Sequence, residues 1–468
     1  TFMDEWDAMC RSIMSAGHRR GAMMGTLRID HPDIEAFIEA KRDKYRWRMF
    51  NVSVLITDEF MEAVKFGHAW QLVFGGKVYR TVDARQLWDK IMRSTYDYAD
   101  PGVIFIDRVN ATNPLRYAEE LICTNPCAEK PMPEWGACVL GSLNLARMVD
   151  DPFTKEASIN WSRISQATRV LTRMLDNTID ASNYPLPQQK EEMLRKRRIG
   201  IGITGFADML AMLGYLYSDG ADVADAVSIA VAEAAAEASV KLGEEKGSFP
   251  LYDPEQYKPQ FNAGARHRRN SHLTSIAPTG TISLFAGNIS SGIEPIFDLT
   301  LKRRILQKDN SWQEVEIQDY AWAMQNAMID NKQPLEVNAW QTVADLQPKH
   351  HLAILAACQA NVDSAISKTV NCPEDISYGD FKDVYLQAYK SGAKSCATYR
   401  PNKTTGSILS STAQTTSEAA MSNVVELSKP LQRPTHLHGA TYRLKPPSLE
   451  HALFITINDT EQNGVRRP

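Results

Sequence analysis

Residues 123–140 read CTNPCAEKPMPEWGACVL, and within them Asn125, Cys127 and Glu129 set an amide, a thiol and a carboxylate at alternate positions. In an extended or tightly looped segment, alternate side chains project to one side. The three can therefore face one substrate with a hydrogen-bonding group, a sulfur and a base. A second thiol, Cys138, follows a Pro- and Trp-containing stretch shaped like a turn or hairpin. The bland reading stands beside this one: a single cysteine is most often a small buried hydrophobe, and Asn, Pro and Glu around it are ordinary turn residues.

Two further stretches carry candidate chemistry. Pro278-Thr279-Gly280-Thr281-Ile282-Ser283 joins a glycine, which permits close backbone approach, to three hydroxyl side chains. Successive backbone N–H groups at such a turn, entering a helix, make an anion-binding concavity; taken alone, the stretch also reads as a Ser/Thr-rich turn. Gly200-Ile201-Gly202-Ile203-Thr204-Gly205 satisfies the GxGxxG pattern of dinucleotide folds. It follows the basic run Arg195–Arg198 and leads into the helix-like FADMLAMLGY, with no βαβ unit, so dinucleotide binding is rejected. The runs RKRR (195–198) and RHRR (266–269) read as solvated faces or positive charge near a phosphate, not as nucleic-acid clamps.

The elements that must position these residues alternate between helical and strand signals, the α/β class. A helix runs through about Met14 and gives way to the basic, Gly-bounded loop SAGHRRG at 15–21. Another begins near Pro32, with Ile34, Phe37 and Ile38 inward. FNVSVLI (50–56) and VIFID (103–107) read as buried strands. Helical spacing over 164–179 (Val170, Leu171, Met174, Leu175) and an Ala-rich helix over roughly 221–245 follow. HLTSIAPTGTISLF (272–285) reads as strand, turn and a further element. Residues 405–430 have linker composition, and 431–468 read as the start of a β-rich appendage.

Composition bounds the function. The 468 residues are 43% hydrophobic and 23% charged with net charge -4, enough for a large core. Mild acidity argues against broad nucleic-acid or anionic-membrane binding. Seven scattered cysteines form neither a secreted disulfide framework nor a zinc-spaced CxxC pair. No apolar run is long enough to span a membrane. A cytoplasmic enzyme is expected. The chain opens inside an amphipathic pattern (Phe2, Trp6, Met9, Ile13) and stops after NGVRRP, which reads as a piece of a longer polypeptide.

The motifs NPCAE, ACVLGSLNLARMV, RRIGIGITGFADML, APTGTISLFAG, SSGIEPIF and YKSGAKSCATYRPN, in this order, resemble the catalytic subunit of ribonucleotide reductases over nearly the whole chain. The resemblance implies a ten-stranded α/β barrel of two antiparallel halves of parallel strands, lacking its N-terminal strands here and occupying 1–404, with Cys127 at the tip of a finger loop. It implies that Cys127 becomes a thiyl radical and abstracts the ribose 3′ hydrogen, that Glu129 takes the 3′ hydroxyl proton and that Asn125 orients the ribose hydroxyls. Cys138 is then one of two reducing thiols, its partner lying upstream of Thr1. Thr279, Gly280, Thr281, Ile282 and Ser283 correspond to the phosphate site. Gly17, His18, Arg19, Arg20 and Gly21 correspond to a loop communicating between a deoxynucleotide (dNTP) or ATP effector and the substrate base, with Arg19 as contact and Gly17 and Gly21 as hinges. Cys10 and Cys358 match no family role and read as structural.

Relatives that work with a separate radical-carrying subunit use two adjacent tyrosines, and alignment sets Ala397 and Thr398 at those positions, with Tyr399 one place outside. The segment resembles the adenosylcobalamin-dependent (class II) type, in which the cofactor supplies the radical. Its substrates are expected to be ribonucleoside diphosphates, its electron donor a thioredoxin-like protein, and its assembly a homodimer. The alternatives are a large subunit needing a radical-generating small subunit, and an inactive nucleotide-binding fragment.

Overall fold

The computed structural model describes residues 2–15, 19–43, 45–306, 312–330, 339–401, 438–444, 453–462 and 465–467. The chain divides into Thr1–Gln414 and Thr415–Pro468. In the second unit the described residues form a three-stranded antiparallel sheet of His438–Leu444, Leu453–Gln462 and Val465–Arg467. The 405–430 stretch read as a linker lies outside the described residues.

In the first unit, strands Met23–Arg28, Phe50–Ile56 and Gly102–Phe105 run parallel to one another. Gly102–Phe105 pairs antiparallel with Ser395–Tyr399, which runs parallel to Thr369–Asn371. Single parallel bridges extend this order: Ile276 meets Ile366, and Ile201 meets Thr274. Ile199–Thr204 then pairs in parallel with Val139–Asn144. Among the described residues eight strand positions thus follow in sequence, three running one way and five the other, with Val139–Asn144 and Met23–Arg28 as the outermost members.

These strands form where the sequence is β-branched and apolar on both faces, as burial between helices requires. Ile199, Ile201 and Ile203 are all buried, each contributing about 1.5–3 kcal/mol relative to exposure. The glycines between them serve packing. A Cβ on Gly202 would lie 2.5 Å from the Ser275 carbonyl oxygen, and one on Gly200 would lie 2.9 Å from Ser275 Cβ. The GxGxxG pattern is therefore largely a buried strand pressed against 273–276, and the rejection of a dinucleotide loop agrees with this geometry.

Helices flank the strands and begin where capping residues stand: Thr57 accepts from Phe60 N, Asp83 from Gln86 N and Ser377 from Asp380 N. Ile34, Phe37 and Ile38 face inward on Ile34–Glu39, as their spacing predicts. Cys10 and Cys358 are buried on helices, in keeping with structural roles. The helix Trp161–Ala181 forms where the spacing predicts it, but only part of the apolar set turns inward. Its buried stripe is Ile164, Thr168, Thr172, Leu175, Asp176 and Ile179, whereas Val170 and Met174 are exposed. The reason is electrostatic: Asp176 must turn inward to meet Arg197 (2.8 Å) and Asn270 (3.0 Å), which rotates those apolar residues out.

The basic runs also differ from expectation. Lys196, Arg197, Arg198 and Arg268 are buried. Arg198 donates to both oxygens of Glu119 at 2.7 Å, and Lys196 reaches Glu119 at 2.7 Å. Lys196, Arg197 and Arg198 are interior ion pairs rather than solvated faces, and buried charge of this kind is costly unless partnered. Gly202→Ala is expected to destabilise the fold by about 1–3 kcal/mol, since the clashing atom is backbone. Gly280→Ala, where an added Cβ meets nothing within 4 Å, should leave the urea midpoint nearly unchanged; equal midpoints for the two variants would contradict the packing.

Candidate active site

The thiol-bearing segment is a hairpin. Cys123–Thr124 pairs antiparallel with Pro131–Met132, and residues 125–130 form the loop between them. The loop is built by its own backbone: Ala128 N donates to Asn125 O at 2.9 Å and Lys130 N to Asn125 Oδ1 at 3.0 Å. Ala128 adopts φ +65°, left-handed backbone that non-glycine residues seldom take, tolerated where surroundings fix it. Alternation along a strand therefore does not describe this site. Cys127 is exposed at the tip, while Glu129 is only 2% exposed.

Both sets of strands grip the hairpin. From one side, Asn51 Nδ2 donates to Pro126 O at 2.7 Å and Thr26 Oγ1 to Cys123 Sγ at 3.4 Å. From the other, Ser275 Oγ (2.8 Å) and Ala365 N (3.0 Å) both donate to Glu129 O. Below the loop, buried Lys130 donates to Ile199 O at 2.9 Å and Ser364 Oγ at 2.6 Å.

Burial pushes the Glu129 carboxyl above its ordinary range; a hydrogen bond from Asn125 and the charge of Lys130 oppose this without reversing it. One Glu129 oxygen, Oε2, has no hydrogen-bond partner among the described residues. Burial likewise raises the Cys138 thiol, against the pull of Lys130 and Arg198. The same cations, together with burial, drive His272 well below the usual imidazole range, so it is neutral. Sequence reasoning missed Lys130, Arg198 and Glu119. Their signal was a charged residue next to the thiol motif and a run of cations ending at a buried strand.

Residues 273–276 lead directly from the hairpin's grip to the 278–283 turn. Ser275 and Gly280 are five residues apart, so the turn lies within about 18 Å of the Glu129 carbonyl's anchor. Two of the three hydroxyls do not face solvent. Thr279 Oγ1 and Ser283 Oγ lie 2.9 and 3.0 Å from Thr204 Oγ1 and 3.1 Å from each other, and Gly292 N donates to Thr279 at 2.8 Å. Only Thr281 keeps its hydroxyl at an exposed position, beside exposed Gly280 and Ile282. The helix Gly280–Phe285 starts here, and its first N–H groups have no intrahelical acceptor.

Glu294, in the SSGIEPIF stretch, pairs with buried Lys368 and accepts from Thr369 N at 2.7 Å, so that motif holds strands together. Thr398 Oγ1 lies 3.0 Å from the buried Tyr385 hydroxyl. Of the basic loop, Gly17 and His18 lie outside the described residues, and Arg19–Arg20 pairs antiparallel with Met14–Ser15. A Cβ on Gly21 would lie 2.4 Å from Cys10 Sγ, so this glycine permits close approach to the first helix.

The fold and site define an α/β protein with a thiol-tipped hairpin clasped between two oppositely directed sets of strands. Residues 1–399 match the family described as ribonucleotide reductase, barrel domain, and the chain belongs to that family. It is 35% identical over 439 residues to a vitamin B12-dependent ribonucleoside-diphosphate reductase of Mycobacterium tuberculosis (strain CDC 1551 / Oshkosh), covering 88% of this chain and 61% of that protein. It is 33% identical over 447 residues to a protein of the same name from Thermoplasma acidophilum, covering 91% of this chain and 57% of the relative. A ribonucleoside-diphosphate reductase large subunit of Caenorhabditis elegans is 24% identical over 467 residues, covering 84% and 58%. The chain thus spans 61% or less of the length of these three relatives. Among the described residues no helix is long and apolar enough to cross a membrane.

Two outcomes check the site. On alkylation followed by peptide mass spectrometry, exposed Cys127 should label first. Cys358 and Cys372, buried and pushed up to about 12, should label last, because the thiolate is the nucleophile; labelling of Cys372 ahead of Cys127 contradicts the geometry. Glu129→Gln tests the raised carboxyl. The folded chain holds this proton more tightly than the unfolded one, so the wild type should lose stability relative to the variant as pH rises from the ordinary carboxylate range through the raised value. A urea-midpoint difference independent of pH would contradict it.

Proposed function

We propose that this chain carries the catalytic barrel of a ribonucleotide reductase that replaces the 2′ hydroxyl of a ribonucleoside diphosphate with hydrogen. The observation that carries the reading is the clasped hairpin, with an exposed thiol at its tip, a buried carboxyl and a half-buried amide behind it, and an anion-suited turn next along the strand that grips it. In this reading Cys127, as a thiyl radical, takes the ribose 3′ hydrogen. Glu129 takes the 3′ hydroxyl proton, a task for which a carboxyl with raised proton affinity is better matched near neutral pH. Asn125, fixed by Lys130 N, holds the ribose hydroxyls and limits wandering of the reacting sugar. The backbone N–H groups of Gly280, Thr281 and Ile282 receive the phosphates, while Thr279 and Ser283 brace the turn from within. Cys138 supplies one of two reducing thiols and closes to a disulfide during turnover.

The relatives named as vitamin B12-dependent support adenosylcobalamin as the radical source. This chain's residues fit that assignment: Ala397 and Thr398 offer no phenol for a relay, and Cys127 is open to direct approach. When bound, adenosylcobalamin supplies a radical by homolysis of its cobalt–carbon bond, and Cys127 is the residue it must reach. The eight strand positions are consistent with a ten-stranded barrel, and we assign 1–404 to it, 405–430 to a linker and 431–468 to a β-rich appendage. A dNTP or ATP effector would act through Gly17–Gly21, and a thioredoxin-like protein would supply electrons. The exposed Phe2, Trp6 and Met9 on the helix Phe2–Ser12, with Ile13 beyond it, are a face suited to a homodimer. A cytoplasmic setting accords with this chemistry.

The test uses the chain expressed with its flanking coding sequence, supplied with a ribonucleoside diphosphate, a dithiol and adenosylcobalamin. Deoxynucleoside diphosphate should form, Cys127→Ala should abolish turnover, and nucleotide binding should survive that substitution. Comparable turnover in the variant refutes the radical role; activity requiring a metal-loaded partner subunit instead refutes the cofactor assignment.

A further inference from the structure

A cavity of about 670 Å³ lies at the end of the strands opposite the 278–283 turn. Its lining comes from residues just before the 273–276, 366 and 395–399 strand positions, such as Arg268, Asp363 and Lys394, and from residues just after Gly102–Phe105, such as Arg108 and Thr112. Because those two groups of strands are antiparallel, both groups of residues fall at one end. The cavity is therefore separate from the turn proposed to hold substrate phosphates.

Its charge is unbalanced in a chain of net charge -4. Four cations line it, Arg108, Lys258, Arg268 and Lys394, against one carboxylate, Asp363. Asp363 is already engaged, accepting from Leu273 N (2.6 Å) and Thr274 N (3.0 Å). Lys394 is also committed, donating to the Asp363 carbonyl at 2.8 Å and to the Ser364 carbonyl. That leaves three cations with donors to spare. Arg268 is only 3% exposed, yet its Nε–H has no hydrogen-bond partner among the described residues, and its Nη1 makes one long bond, 3.4 Å, to Ala236 O. A buried guanidinium donor left unmet costs free energy unless something occupies the site. Arg108 stacks over Tyr389 at 4.0 Å and donates to Ala393 O at only 3.5 Å, while Lys258 stands exposed at the rim.

We propose that this cavity binds a phosphorylated small molecule of nucleotide size. Three separately mounted cations suit a polydentate, multiply charged phosphate better than a single carboxylate. Pro114, Pro259 and Phe261 supply an apolar wall for the organic part, and the volume falls in the range of small-ligand sites.

Hydrogen–deuterium exchange on the full chain tests this with AMP, adenosine and inorganic phosphate as probes. AMP should slow exchange over residues 257–261 and 356–363, and adenosine should not. Lys258→Glu, at an exposed position, should raise the half-saturating AMP concentration about tenfold and leave any protection at 279–292 unchanged. Arg268→Gln should do the same, and the rim variant keeps the test decisive if this buried one fails to fold. Protection confined to 279–292 overturns the proposal, as does equal protection by adenosine or by inorganic phosphate. None of these outcomes depends on turnover, so failure here leaves the proposed reductase function standing.

Discussion

Every functional statement about this chain depends on one mechanical arrangement: a two-strand hairpin held by its backbone between strands that run in opposite directions. Asn51 holds Pro126 from one set, and Ser275 with Ala365 holds Glu129 from the other. These bonds engage main-chain carbonyls, so they fix the loop without using the side chains that would meet a substrate. The exposed thiol at the tip has its position set by groups belonging to the scaffold.

The interior around that hairpin is unusually cationic for a protein with a slight negative net charge. Lys130, Lys196, Arg198 and Lys394 are buried, with Glu119 as the acidic partner of Lys196 and Arg198 and backbone carbonyls taking much of the rest. Burying such groups is costly unless hydrogen bonds are near complete. Here the carbonyls at strand ends, which a sheet leaves unpaired, supply acceptors. Burial, reinforced by this positive field, drives His272 well below the usual imidazole range, whereas at the Cys138 thiol the same field opposes burial without overcoming it.

Glycine and hydroxyl residues show how one motif can divide its labour. In 199–205 the glycines let strand 273–276 approach within a distance that a methyl group would forbid. In 278–283 two hydroxyls turn inward and lock the turn to Thr204, leaving the backbone at the helix start, around Gly280 to Ile282, as the exposed part of the turn. A pattern that reads as ligand-binding chemistry is here partly a packing device.

Local sequence determined a good deal by itself. The strand Phe50–Ile56, the helix Ile34–Glu39 and the Ala-rich helix Ala221–Lys246 all follow from short-range periodicity. The motif set was enough to reach the reductase family. Only tertiary structure decided which way Val170 and Met174 face, that Lys196, Arg197, Arg198 and Arg268 of the basic runs are buried, that Thr279 and Ser283 point inward, and that Lys130 sits beneath the thiol loop. The physical reason is common to all four. Each depends on a partner far along the chain, Asp176 with Arg197, Arg198 with Glu119, Thr279 with Thr204, Lys130 with Ser364, and the free energy of a buried charge or hydroxyl is set by what meets it in space, which no local pattern of residues records.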